Sequence, residues 1–131
     1  MKKIYPIALI LVFLFTACGK QTTGADVVAA FKAAGLEAEN PSPMTKDDYG
    51  LGPYVCTVTH FFTPSIDAKA GGRVFICDNT KDRDALKNYY DSLGKTSAVF
   101  FSWTFVKGNI LVQINGDLPE EKAKQYEAAI P

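Results

Sequence analysis

Two β-rich segments, YVCTVTHFF at residues 54–62 and RVFIC at residues 73–77, constrain this chain more than any other feature. Both are built from β-branched and aromatic residues, and a turn-forming stretch with Pro64, Gly71 and Gly72 separates them, so they predict a hairpin. If Cys56 stands opposite Cys77, the same register pairs Val58 with Phe75 and His60 with Arg73. Both sulfurs then project from one face of the sheet, beside apolar neighbours.

A second pair repeats the pattern. Residues 97–106 (SAVFFSWTFV) and 110–115 (ILVQIN) flank Lys107, Gly108 and Asn109. This predicts a tight turn that pairs Lys107 with Ile110, Phe105 with Val112 and Trp103 with Ile114. Three helices are also expected. Residues 26–34 carry Val27, Ala30, Phe31 and Ala34 at helical spacing, with Thr23 and Asp26 as a variant capping box and Gly35 as a stop. Residues 82–93 align Leu86, Tyr90 and Leu93 ahead of Gly94. A third helix, opened by a capping box of Asp117 and Glu120 around Pro119, aligns Ala123, Tyr126 and Ile130.

By contrast, NPSPMTKDDYGLGP at residues 40–53 holds three prolines and two glycines, a composition that predicts a long loop without regular structure. Asp47 and Asp48 within it lack the alternating oxygen ligands of a calcium loop, and no metal or cofactor is expected. The order α-ββα-ββα predicts an α+β fold, a four-stranded antiparallel sheet with the helices packed on one face. An offset of 36 residues sets Asn79 against Asn115 and Tyr90 against Tyr126, a faint likeness between the two ββα units.

The N-terminus has a different character. Lys2 and Lys3 precede an apolar run from Ile4 to Phe15 broken only by Pro6, the layout of a secretory leader. Thr16, Cys18, Gly19 and Lys20 end the run short of the roughly 18 to 20 apolar residues that a bilayer-spanning helix needs. Within this leader, Leu14, Phe15, Thr16, Ala17 and Cys18 resemble the lipobox of bacterial lipoproteins, with Phe15 supplying the bulky apolar side chain where leucine is usual. The resemblance implies residues 1–17 as a signal peptide cleaved after Ala17, a diacylglyceryl group on Cys18 and a short tether to residue 24. It leaves residues 25–131 as one domain. It also implies a protein held by lipid on the extracytoplasmic side of the cell membrane or outer membrane. A diacylated cysteine brings the two hydrophobic signals that stable anchoring takes.

Cleavage would take Lys2 and Lys3 from the 14 basic residues and leave the 14 acidic ones, for a mature net charge of −2. That balance argues against nucleic acid as a partner and against a polybasic membrane contact. In an oxidising compartment Cys56 and Cys77 are expected to form a structural disulfide closing a loop of about 20 residues, worth around 3 kcal/mol. A redox pair is the rival, without Cys-x-x-Cys spacing or a helix N-terminus to lower a thiol pKa, and two free thiols remain the third option.

His60 is the only histidine, so a histidine-based active site must be built around it. On a strand it stands four residues from Cys56, about 13 Å away, too far for a Cys-His dyad. No serine sits in a G-x-S-x-G elbow or a Ser-x-x-Lys pair. The aromatic crowding at Phe100, Phe101, Trp103 and Phe105 suggests an exposed strip of Phe100, Val106 and Leu111 on the face away from the helices, a candidate surface for an envelope protein partner. The expectation preferred over an exposed strip is that residues 40–53 or the first helix cover that face. The chain therefore reads as a non-catalytic binding module of the cell envelope. The contrasting expectation is a small envelope enzyme, a hydrolase using His60 or a thiol-disulfide protein using Cys56 and Cys77.

Overall fold

The computed structural model describes residues 19–131, so the expected signal peptide and the lipid site Cys18 lie outside the described residues. The chain forms α1 (Gly24–Ala33), β1 (Glu39–Pro43), β2 (Thr57–Phe62), β3 (Gly71–Ile76), α2 (Thr80–Thr96), β4 (Ser102–Lys107), β5 (Ile110–Asn115) and α3 (Glu120–Ala129). The strands make one antiparallel sheet in the order β1-β2-β3-β5-β4. The fold is α+β as expected, with five strands instead of four.

The additional strand, β1, falls in the proline-rich stretch expected to be loop. It lies at the edge of the sheet, where one side of the backbone needs no ladder partner, so Pro41 and Pro43 are tolerated. Its register against β2 shifts between Glu39 and Ser42, where Asn40 takes φ 47°. Asparagine accepts this left-handed conformation more readily than most residues. Beyond β1, Lys46–Tyr49 forms a single 3-10 turn.

Both expected hairpin registers are present: Val58 pairs with Phe75, His60 with Arg73, Phe105 with Val112 and Trp103 with Ile114. Strand alternation then builds two cores. Phe61, Val74, Ile76, Val112 and Ile114 face α1 and α3, where Phe31 packs edge-on against Phe61 (5.7 Å between centroids) and Tyr126 (5.1 Å). The Tyr126 hydroxyl donates to the Glu37 carbonyl, and Trp103 Nε1 donates to the Leu118 carbonyl at 2.9 Å, which ties the chain before β1 and before α3 to this layer. On the opposite face Val58, Phe75 and Leu111 meet Leu86 and Tyr90 of α2.

Helices therefore cover both faces, and the expectation of one covered face is corrected. The reason is local: VFI at residues 74–76 and ILV at residues 110–112 are apolar at consecutive positions, so Phe75 and Leu111 need cover as much as Val74 and Val112 do. Because α2 and α3 lie on opposite faces, the 36-residue likeness is not a structural repeat.

Helix ends follow the sequence in part. Thr23 and Asp26 make the reciprocal cap of α1, with Asp26 N–H donating to Thr23 Oγ1 (3.2 Å) and Thr23 N–H to Asp26 Oδ2 (2.9 Å). For α2 the cap is Asn79, whose Oδ1 accepts from Asp82 N–H at 2.8 Å. Gly94 does not stop α2; a Cβ there would come within 3.3 Å of the Phe101 Cα, so glycine lets the returning chain pass close to the helix. Asp117 does not cap α3. Its N–H donates instead to Asn115 Oδ1, and the helix begins after Pro119. Likewise residues 97–101 are not strand: Ser97 accepts from Val99 N–H and opens a 3-10 turn, Ala98–Phe100.

Cys56 and Cys77 stand one position beyond the last ladder pair of β2 and β3, Thr57 with Ile76, and are joined by a disulfide with 4.6 Å between the Cα atoms. That separation suits a directly opposed pair in an antiparallel ladder. The bridge spans 21 positions, for which chain entropy implies a contribution of about 3 kcal/mol. Replacing both cysteines by alanine is expected to lower the unfolding free energy in urea titration by about that amount; an unchanged midpoint and slope would show that the bridge contributes nothing.

Candidate functional site

Strand alternation and the registers above place one polar side chain on each strand in a single row across the α2 side of the sheet. Ser42 of β1 pairs with His60 of β2, His60 with Arg73 of β3, Arg73 with Gln113 of β5, and Gln113 with Thr104 of β4. The neighbouring row is apolar, with Val58, Phe75, Leu111 and Val106 in register, and α2 lies over its centre. The sheet face thus changes from apolar to polar within one step of the pleat, with Gln113 buried and Arg73 and Thr104 partly buried.

Each end of the polar row is held differently. Thr104 Oγ1 donates to Asp91 Oδ1 (2.6 Å), and Lys87 Nζ bonds Asp91 Oδ2 (2.6 Å), so α2 clamps this end. Burial raises the Asp91 pKa, but the bonds from Lys87 and Thr104 outweigh it and leave the carboxyl below its usual range. In the middle, Arg73 Nη1 donates to Gln113 Oε1 at 3.0 Å, and the guanidinium carbon lies 6.0 Å from the centre of the Tyr90 ring. At the β2 end the His60 ring packs edge-on to Phe62, with 4.5 Å between centroids.

Next to this row, Gly71 contributes no side chain, and a depression of about 160 Å³ opens there, lined by His60, Lys69, Gly71, Arg73, Gln113 and Asn115. A second hollow of about 250 Å³ meets it at His60 and Arg73 and continues over Pro43, Met44 and Asp48. The first hollow is lined by two cations and two amides and by no carboxylate. Among the described residues no carboxylate forms an ion pair with Arg73. Asp48, across the second hollow, is engaged by Thr45, whose N–H (2.7 Å) and hydroxyl (2.9 Å) both donate to its Oδ2; the backbone bond is the leading cause of its lowered pKa.

This basin can present a planar, five-donor guanidinium and two amide side chains to an acceptor-rich group. His60 is held toward its neutral form chiefly by burial and secondarily by the Arg73 charge, with Asp48 opposing weakly.

The residues singled out in sequence are scattered by comparison. Cys56 and Cys77 are bonded to each other inside the α2 core. Phe100 is exposed on the 3-10 turn before β4, and Val106 is partly exposed near the far end of β4. Leu111 is 0% exposed, beneath α2, so an exposed strip of Phe100, Val106 and Leu111 does not exist. Sequence reasoning did not single out Arg73, Gln113 and Asn115 as a site. The available signal was a lone polar residue inside each of two apolar strands, at positions that the hairpin registers bring onto one face. Among the described residues, no group of three or more His, Cys, Asp or Glu side chains is placed to hold a metal ion.

A depressed folded-state pKa means that the unfolded chain binds a proton at His60 more readily, so native stability falls as pH drops below the unfolded value of about 6.5. His60→Gln removes this pH dependence. Thermal unfolding at pH 7.5 and pH 5.5 should show a smaller loss for the variant than for the parent; equal losses would mean that His60 is not perturbed by folding. Comparison with known proteins adds no relative, since no family model, curated protein or solved structure matches the chain.

Proposed function

We propose that this protein is a lipid-anchored envelope module that binds a small anionic group in the Arg73 basin and performs no chemistry on it. The observation that carries the ligand class is the half-buried guanidinium of Arg73, oriented by Gln113 and Tyr90 and, among the described residues, in no ion pair with a carboxylate, Asp48 across the second hollow being engaged by Thr45. A partly desolvated cation without a protein counterion is a prepared partner for a carboxylate or phosphate, which it can bind through two parallel N–H···O bonds. Lys69 adds a second positive charge at the rim, and the amides of Gln113 and Asn115 add neutral polarity.

Support for the anchoring half comes from the leader and its lipobox resemblance, together with the start of α1 at Gly24, which leaves only a short tether after Cys18. Support for the non-catalytic half comes from the two groups on which an enzyme would depend. The Cys56 and Cys77 sulfurs are bonded to each other within the core, and the His60 ring is turned edge-on to Phe62. One observation favours the hydrolytic alternative: His60 lines the same basin as Arg73. The two readings part on His60→Ala, which a hydrolase would not survive and a binder would.

Isothermal titration of the mature protein with acetate and with inorganic phosphate tests the ligand class. Arg73→Met should weaken whichever anion binds by about tenfold or more, the worth of a charge-assisted hydrogen bond. No binding of either anion to the parent, or equal affinity in the variant, would contradict the proposal.

A further inference from the structure

The geometry points to a second surface, formed by Leu51, Tyr54 and Val55, that rests on the lipid bilayer holding the anchor. The inference depends on the reading that Cys18 is lipidated. Leu51 is 95% exposed, and Tyr54 and Val55 are roughly half exposed, in the segment between the 3-10 turn and β2. This segment is held in place. Gly52 N–H donates to the Tyr49 carbonyl at 3.2 Å, the Tyr49 hydroxyl donates to the Cys56 carbonyl at 3.3 Å, and the Tyr54 ring stands edge-on to Tyr49 at 4.9 Å. The disulfide fixes its far end at Cys56. The result is a supported apolar tip flanked by a tyrosine, a side chain suited to the boundary between hydrocarbon and water.

Its position identifies the occupant. Residues 21–24 and residues 54–56 flank the same three residues, Thr57, Ile76 and Asp78, so the tether shares one end of the sheet with Tyr54 and Val55, and Leu51 precedes them by three positions. Only three peptide steps separate Gln21 from Cys18, a reach of about 10 Å when fully extended. The acyl chains must therefore enter the bilayer beside this end.

A second exposed apolar group, Val99, Phe100 and Phe101, precedes Ser102, whose ladder partner is Asn115 at the opposite end of β5 from Ile110. That end lies about 17 Å away along the strands. Residues at Thr57 and Ile76 face the membrane in this arrangement, and the basin beside Gly71 opens away from it, toward ligands in the surrounding space.

The test uses the full lipidated protein reconstituted into vesicles of phosphatidylethanolamine and phosphatidylglycerol, with or without bromine on the acyl chains. Leu51→Trp and Val99→Trp are compared after subtracting the emission of Trp103 in the unsubstituted protein. Bromine should quench the emission added by Leu51→Trp and spare that added by Val99→Trp. Lack of quenching at Leu51→Trp in protein that floats with the vesicles overturns the contact while leaving the anchor intact, and so does capture of Val55 by a protein partner in crosslinking. Failure to float overturns the anchor and this inference with it.

Discussion

The pairing of β3 with its neighbours is the constraint on which the rest of the molecule depends. β3 is hydrogen-bonded to β2 on one side and β5 on the other, and it is buried on both faces, with Val74 and Ile76 toward α1 and α3 and Phe75 toward α2. A slip of one residue would exchange those faces and carry Arg73 into an apolar layer that offers it no acceptor. The Cys56–Cys77 bridge sits one step beyond the ladder, in the same register. It therefore restrains the alignment that creates both cores and the polar row together.

That single register also gives the sheet two chemically distinct ends. Near Thr57 and Ile76 lie the tether, the disulfide and an apolar tip; near Gly71 and Asn115 lie the basin and the exposed turn of Val99, Phe100 and Phe101. The hollow exists where two things coincide: Gly71 has no side chain, and Arg73 is turned toward Gln113 and Tyr90. In the proposed account the lipid end fixes the location of the protein and the opposite end presents the guanidinium to solutes. Neither role calls for a catalytic group, which agrees with two sulfurs joined in the core.

Much of this was legible in the residues because antiparallel hairpins are local. Short turns and alternating apolar positions were enough to pair Val58 with Phe75 and Phe105 with Val112, and helical spacing located α1, α2 and α3. What escaped depended on tertiary context. β1 was hidden because prolines that forbid a central strand are harmless at an edge. Residues 97–101 carry strand-forming side chains, yet Ser97 caps a 3-10 turn there and Gly94 lets the chain pass against α2. Leu111 is a candidate for an open face only if one layer of helices is assumed, whereas consecutive apolar residues in β3 and β5 require two, and the cover comes from α2, not from residues 40–53 or α1. The basin was missed for a related reason: a polar residue in an apolar strand acquires meaning only when its partners on three other strands are known.

The claim that governs location, redox state and orientation is the lipid on Cys18, and the intact mass of the protein purified from an expressing bacterium tests it most directly. The account predicts a chain beginning at Cys18, recovered with membranes and heavier than residues 18–131 by a diacylglyceryl group. A chain beginning at Met1, unmodified and found in the cytosolic fraction, would contradict it.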